Sequence, residues 1–232
     1  MNLDITEGEC WHLLGNNGSG KSSLLALMAG TLAADTGQIL LRGRIIDDIS
    51  LAQLAQARCF LQQLPQAEFD ISLQELLTFY SQQTHLPKPV EDALGLSDLM
   101  PKSLRKLSGG QQQRFHIALS LTQIWPAIES GKALVLLDEP YQYLDISYQC
   151  KLKALLKNIL ALNNTIVMST HDVNSCFGLA SHIAWLKDNA IMAQGSTHSH
   201  LSTHNMTLAY GHAFHEIHDD VQKQRYFIHS PA

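Results

Sequence analysis

The stretch Gly15-Asn16-Asn17-Gly18-Ser19-Gly20-Lys21-Ser22 constrains this chain more than anything else in it. It fits GxxxxGK[ST] and lies between an apolar run, Glu9–Leu14, and an apolar segment, Ser22–Ala29, that Gly30 can close. Such a setting asks for a strand, a tight loop and a helix. The glycines let successive backbone N–H groups turn inward around an anion, and the helix start aims its positive end at the same point. Lys21 can then reach β and γ phosphates, and the Ser22 hydroxyl can ligate Mg²⁺. The expected nucleotide-binding residues are Gly15, Asn16, Asn17, Gly18, Ser19, Gly20, Lys21, Ser22 and Ser23. A glycine-rich turn with a solvated lysine is the plainer alternative, and the flanking elements argue against it.

The rest of the chain alternates in a way that suits this loop. Gln38–Leu41 and Arg44–Ile46 flank Gly43 as a hairpin, and Ser50 can cap a helix over Leu51–Ala57 ahead of a strand at Arg58–Leu61. From about Gln66 to Ala127 the pattern turns helical. Ser72-Leu73-Gln74-Glu75 is a capping box opening a helix to about Gln83, two short helical pieces follow Pro87 and Pro89, and a long helix from Gln111 to Trp125 is expected to end at Pro126. The β/α alternation then resumes. Ala133–Leu137 and Thr165–Ser169 read as buried parallel strands around an amphipathic helix, Ile146–Leu162. Ile183–Leu186 and Ile191–Ala193 flank Asp188-Asn189 as a second hairpin. The expected fold is α/β: one P-loop nucleotide-binding domain of RecA-like core (1–65 and 128–232) carrying an inserted all-helical subdomain (66–127).

Two carboxylates, Asp138 and Glu139, follow the apolar strand Ala133–Leu137 and so arrive at the sheet's carboxyl end, where α/β folds bind ligands. Asp138 would enter the Mg²⁺ shell, and Glu139 would act as general base on the attacking water. Read without the phosphate loop, the same pair is an acidic cap for the next helix.

Composition closes off other classes. Sixteen Lys and Arg against 21 Asp and Glu leave a net charge of −5, which argues against binding nucleic acid through a general basic surface. No apolar run reaches the roughly 18 residues a membrane helix needs. The N-terminus lacks the basic and apolar stretches of a secretory signal, and four scattered cysteines read as reduced packing thiols.

Leu107-Ser108-Gly109-Gly110-Gln111, followed by Gln112-Gln113-Arg114, resembles the signature of ATP-binding cassette (ABC) proteins. Physically it is a second anion cradle: a serine, two glycine amides and a helix N-terminus. One chain needs one cradle per triphosphate, so a second suggests service to another molecule's nucleotide. The resemblance implies that arrangement: a head-to-tail homodimer in which Ser108, Gly109, Gly110 and Gln111 complete the partner's site. It further implies a switch histidine at His171 in Thr170-His171-Asp172, where a satisfied core histidine is the plain alternative. It implies a Q-loop glutamine at Gln63 in Phe60-Leu61-Gln62-Gln63, with Gln62 the fallback, touching Mg²⁺ or water and sensing a membrane partner. It places a D-loop at Tyr143-Leu144-Asp145, of which Leu144 and Asp145 carry over and Asp145 bridges the two cassettes. Chain length, the GNNGSGKSSLLALMAG loop, FLQQ and LAYGHAFHEI resemble the ATPases of vitamin B12 importers, a subfamily that groups with ferric-siderophore and haem importers. The implied partners are two polytopic permease subunits and, indirectly, a periplasmic binding protein, with no nucleic acid. The implied cofactors are ATP and Mg²⁺, and the implied location is the cytoplasmic face of the bacterial inner membrane.

Lys21 has only 20 residues ahead of it, and no aromatic precedes Trp11. The family's N-terminal strand region is thus expected to be truncated. Either a start lies upstream, or the chain holds nucleotide chiefly through its phosphates, forgoing a stacking contact on the order of 1 kcal/mol. Trp11 itself is expected in the core. Seven of the twelve histidines, His198, His200, His204, His212, His215, His218 and His229, read as solvated surface residues on loops and a short strand, a metal site or pH-responsive patch being the alternatives. Two other function classes remain: an ABC protein of DNA repair or translation, and a nucleotide-gated binding module that hydrolyses poorly.

Overall fold

The computed structural model describes residues 1–62, 70–219 and 224–229. The short, fully buried strand β1 (Cys10–Leu14) leads through the glycine loop into α1 (Lys21–Met28). A two-residue-strand hairpin, β2 (Leu40–Leu41) and β3 (Arg44–Ile45), precedes α2 (Leu51–Ala57), whose N-cap Ser50 accepts from the Gln53 amide, and then β4 (Arg58–Leu61). The helices α3 (Leu73–Ser81), α4 (Lys88–Leu94), α5 (Gly109–Gln123) and α6 (Trp125–Glu129) follow. After them come β5 (Leu134–Leu137), α7 (Ile146–Ala161), β6 (Thr165–Ser169), β7 (His182–Lys187) and β8 (Ala190–Ser196). The chain finishes with α8 (Thr197–His200), α9 (Thr203–Tyr210), β9 (Phe214–Asp219) and β10 (Gln224–His229).

Six strands form one sheet in the order β4-β5-β6-β1-β7-β8, parallel except for the antiparallel β7–β8 hairpin. The register places Leu13 beside Ser169, and Leu137 beside Met168, so β1, β5 and β6 deliver their carboxyl ends together. The alternating faces of β1 sort the layers. Trp11 and Leu13 pack with Leu24 and Leu25 of α1 on one side. Cys10 packs on the other with Leu152, Leu155 and Leu156 of α7 and Phe115 of α5. The β7–β8 turn, Asp188-Asn189, has both residues at positive φ (48° and 58°), as a two-residue hairpin of matching twist requires.

Two expectations need correction. Pro126 does not end the long helix. The break falls at Ile124 (φ −109°, ψ 17°), and Pro126 sits in the first turn of α6, where a missing N–H costs nothing. The histidine-rich segment is more ordered than loops and one strand. His198 and His200 lie on α8, His204 on α9, and His215, His218 and His229 on the β9–β10 hairpin. Serine caps explain the helices, since Ser196 and Ser202 accept from the amides of Ser199 and Asn205.

His12 was passed over in the sequence, hidden in an apolar strand. Its ring is fully buried, and neither nitrogen has a hydrogen-bond partner among the described residues. Burial, helped by the Lys153 ammonium, pushes its pKa down to about 3. Burial also lowers His116 to about 4. Both folded-state values lie below that of an unfolded histidine, near 6.5, so the unfolded chain binds more protons as pH falls below 6.5. The stability these neutral rings allow is therefore complete above pH 6.5 and drains away towards pH 3–4, each ring contributing up to about 1.4 kcal/mol per pH unit. Replacing His12 by Leu removes one ring's share. Urea midpoints of the two proteins should diverge steadily from pH 6.5 to 4.5, with His12→Leu the more acid-tolerant. Parallel curves would show that His12 does not titrate on unfolding.

Candidate nucleotide site

The loop between β1 and α1 closes tightly on its neighbours. Gly15 has φ 146°, and a Cβ there would collide with the Leu186 carbonyl of β7 and stand 2.8 Å from Ser19 Oγ. Only glycine suits that position. Ser19 is buried, and among the described residues its hydroxyl has no hydrogen-bond partner. Lys21 is buried too, its Nζ donating to the carbonyls of Gly15 (2.8 Å) and Asn16 (3.0 Å). Burial pushes the ammonium below its ordinary pKa, while Glu139 and Asp138 pull it back, which places both carboxylates in its field. Asn16, Asn17, Gly18, Ser22 and Ser23 are exposed at the mouth of this cradle, and Gly20 caps α1 in a left-handed conformation. An orphaned hydroxyl, a desolvated ammonium and an open helix N-terminus fit a phosphate chain.

Asp138 and Glu139 follow β5 and are half-buried. Their shared partner is Ser169, the last residue of β6. Its hydroxyl donates to Asp138 Oδ1 at 2.5 Å and accepts from the Glu139 amide at 2.9 Å. Glu139 has φ 46°, an unfavourable backbone for a side chain of this size, held here by Ser169 and the sheet. His171, two residues beyond Ser169, is exposed, with Nδ1 3.6 Å from Glu139 Oε1. Lys21, Asp138, Glu139 and His171 thus meet at the carboxyl end of three adjacent strands. The sequence reading missed Ser169. The signal was the register, because pairing ALVLL with TIVMS end to end sets the serine next to the carboxylates.

The signature residues stand at the start of α5. Ser108 accepts from the Gln111 amide (3.3 Å), and Gln111 Oε1 accepts from the Ser108 amide (3.0 Å), a reciprocal cap that leaves Ser108 and Gly109 exposed. A Cβ on Gly110 would stand 2.6 Å from the Tyr143 carbonyl. Arg114 donates to the carbonyls of Leu94 and Gly95 and stacks 3.9 Å over the Tyr148 ring. Asp145 is the N-cap of α7, accepting from the Tyr148 amide at 3.0 Å. The signature and D-loop segments are therefore tied to each other within one chain. Gln63 lies outside the described residues; the alternative, Gln62, is exposed just after β4. Trp11 is buried, donating to Glu9 and stacked on His182 (centroids 4.9 Å apart), and so belongs to the core. Among the described residues no three His, Cys, Asp or Glu side chains are grouped to hold a metal ion.

Fold and loop together define a P-loop NTPase, with an α/β/α core and a phosphate cradle at the carboxyl end of its sheet. Residues 1–142 match the ABC transporter family. The vitamin B12 import ATP-binding protein BtuD of Citrobacter koseri is 38% identical over 97% of this chain and 90% of that protein. The protein of the same name from Escherichia coli O139:H28 is 35% identical over the same shares. Among solved structures, an inward-facing metal-chelate type ABC transporter superimposes with a TM-score of 0.77 at 25% identity, covering 100% of this chain and 91% of that one. A dimeric post-hydrolysis state of the cassette MJ0796 bound to ADP and Pi gives 0.68 at 25% identity over 84% and 88%. The chain belongs to the ABC transporter family, and it is an ATP-binding, ATP-hydrolysing cassette of that family.

Proposed function

We propose that this chain is the ATPase subunit of a bacterial importer for vitamin B12, working as a homodimer beneath two permease subunits on the cytoplasmic face of the inner membrane. A periplasmic binding protein would hand cargo to the permease and never touch this chain. The observation that carries the ATPase part is the convergence of Lys21, Asp138, Glu139, Ser169 and His171 at the carboxyl end of the sheet. The cargo rests on likeness to the BtuD proteins along 97% of the chain. The metal-chelate type neighbour favours a second reading, import of a ferric siderophore or haem, with the same cassette chemistry.

In the mechanism, the triphosphate seats in the cradle, its approach drawing Lys21 Nζ off the loop carbonyls and giving the Ser19 hydroxyl an acceptor. Ser22 and Asp138, with Gln63, would hold Mg²⁺, which neutralises charge developing on the β and γ oxygens. The Glu139 carboxylate accepts a proton from the water attacking γ-phosphorus in line, and His171 donates to a γ oxygen. Ser108 and Gly110 of a second copy close over the same phosphate. Loss of the γ phosphate removes the bridge and lets the dimer open.

The test is reconstitution. The purified chain with Mg·ATP should release phosphate, and vesicles carrying it with a B12-type permease, supplied with binding protein and cobalamin outside, should accumulate cobalamin only with ATP trapped inside. Uptake of a ferric chelate instead would move the cargo to the second reading. Absence of phosphate release in both settings would leave a binding module.

A further inference from the structure

The last strands of the chain reach the switch segment. The 3-10 turn Val173–Cys176 directly follows His171-Asp172 and supports it. Within it Asn174 is half-buried, its own amide donating to Asp172 Oδ1 at 2.9 Å. Its side chain makes a two-point pair with a residue 53 positions away. Asn174 Nδ2 donates to the Phe227 carbonyl (3.0 Å), and the Phe227 amide donates to Asn174 Oδ1 (2.9 Å). Asn174 thus plays the part of a neighbouring strand on the outer edge of β10, satisfying two backbone groups that β9 does not.

Phe227 is a firm anchor. It is 3% exposed, stacks on Phe177 (centroids 6.0 Å apart), and shares a core cluster with Leu14, Val173 and Cys176. Leu14 immediately precedes the phosphate loop. The same cluster holds Ala209, whose carbonyl accepts from Asn16 of that loop at 3.2 Å. The C-terminal segment therefore grips both the phosphate loop and the turn behind His171. His171 itself is exposed and, among the described residues, approaches Glu139 at a long 3.6 Å, so its place over the site depends on the turn that carries it.

We infer that Asn174 is a positioning residue for His171, and that the β9–β10 hairpin, acting through it, is part of the ATPase machinery. This rests on the reading of His171 as the γ-phosphate contact. Shifts on the order of 1 Å at such a group cost up to about a hundredfold in rate. The effect should fall on the step that His171 assists and spare nucleotide binding, which rests on the phosphate loop.

Steady-state ATPase assays on the full chain test this with Asn174→Ala, His171→Ala and the double variant. Asn174→Ala should lower kcat roughly tenfold with KM for ATP changed less than about twofold. In the His171→Ala background it should cost nothing further, because its effect passes through that ring. Asn174→Asp keeps the acceptor for the Phe227 amide and should recover part of kcat. Lys88→Ala removes an exposed ion pair with Asp92 within α4, off the hairpin and the turn, and should leave kcat unchanged. An impaired His171→Ala beside an unimpaired Asn174→Ala overturns the assignment alone. So does an additive double variant, or a Lys88→Ala as slow as Asn174→Ala. A His171→Ala enzyme of normal turnover sinks the His171 reading, and this proposal with it.

Discussion

Glu139→Gln should bind ATP, hold two chains together and fail to turn over. Glutamine keeps the shape and the backbone amide that Ser169 holds, so the left-handed conformation at this position and the short Ser169–Asp138 contact should survive. It lacks the one property the proposal needs, a carboxylate able to take a proton. General-base catalysis supplies about 10²–10⁴ in rate, and kcat should fall within that range. The cradle of Ser19 and Lys21 is untouched, so nucleotide affinity should stay near normal. With binding intact and hydrolysis blocked, the γ phosphate persists as the bridge, and size-exclusion chromatography in ATP should show a dimer that the native chain forms only fleetingly. Phosphate release within threefold of native would remove Glu139 from the base role. Loss of ATP binding would place it in the cradle instead.

How much of this was legible beforehand depended on how local the cause is. The phosphate loop, the Asp138-Glu139 pair and the signature are runs of neighbours whose chemistry follows from order alone. The Ser50 and Ser72 caps are equally local, and their helices begin where those serines put them. Ser169 was hidden because its role needs the β5–β6 register. Asn174 was hidden more deeply, since its partner lies 53 residues on in a hairpin whose strands the sequence barely signals. Histidine-rich composition pointed to solvent in that region, yet Phe214, Phe227 and Met206 quietly supply an apolar side. Pro126 misled because a proline that ends one helix and a proline that opens the next look alike in sequence; the geometry at Ile124 decides. His12 drew no notice, being a titratable ring in an apolar strand whose full burial only the fold reveals.

Mixing two inactive chains should restore activity. Lys21→Ala removes the ammonium of the phosphate cradle. Gly110→Asp drives a Cβ against the Tyr143 carbonyl and sets a carboxylate where a phosphate must approach. Each homodimer has the same defect in both its sites. A mixed dimer does not, if Ser108 and Gly110 serve the other chain's nucleotide: one composite site then collects both lesions, and the other pairs an intact Lys21 with an intact signature. In an equimolar mixture half of the dimers are mixed and each has one working site of two, so turnover should rise to as much as about a quarter of native. The exposure of Ser108 and Gly109, held out on a self-contained cap and tied to the D-loop of their own chain, motivates this. Were the signature to act on its own chain's nucleotide, every site in every dimer would keep a lesion, and the mixture would stay at the average of its two parents. The outcome separates a shared triphosphate from two private ones without a crystal of either state.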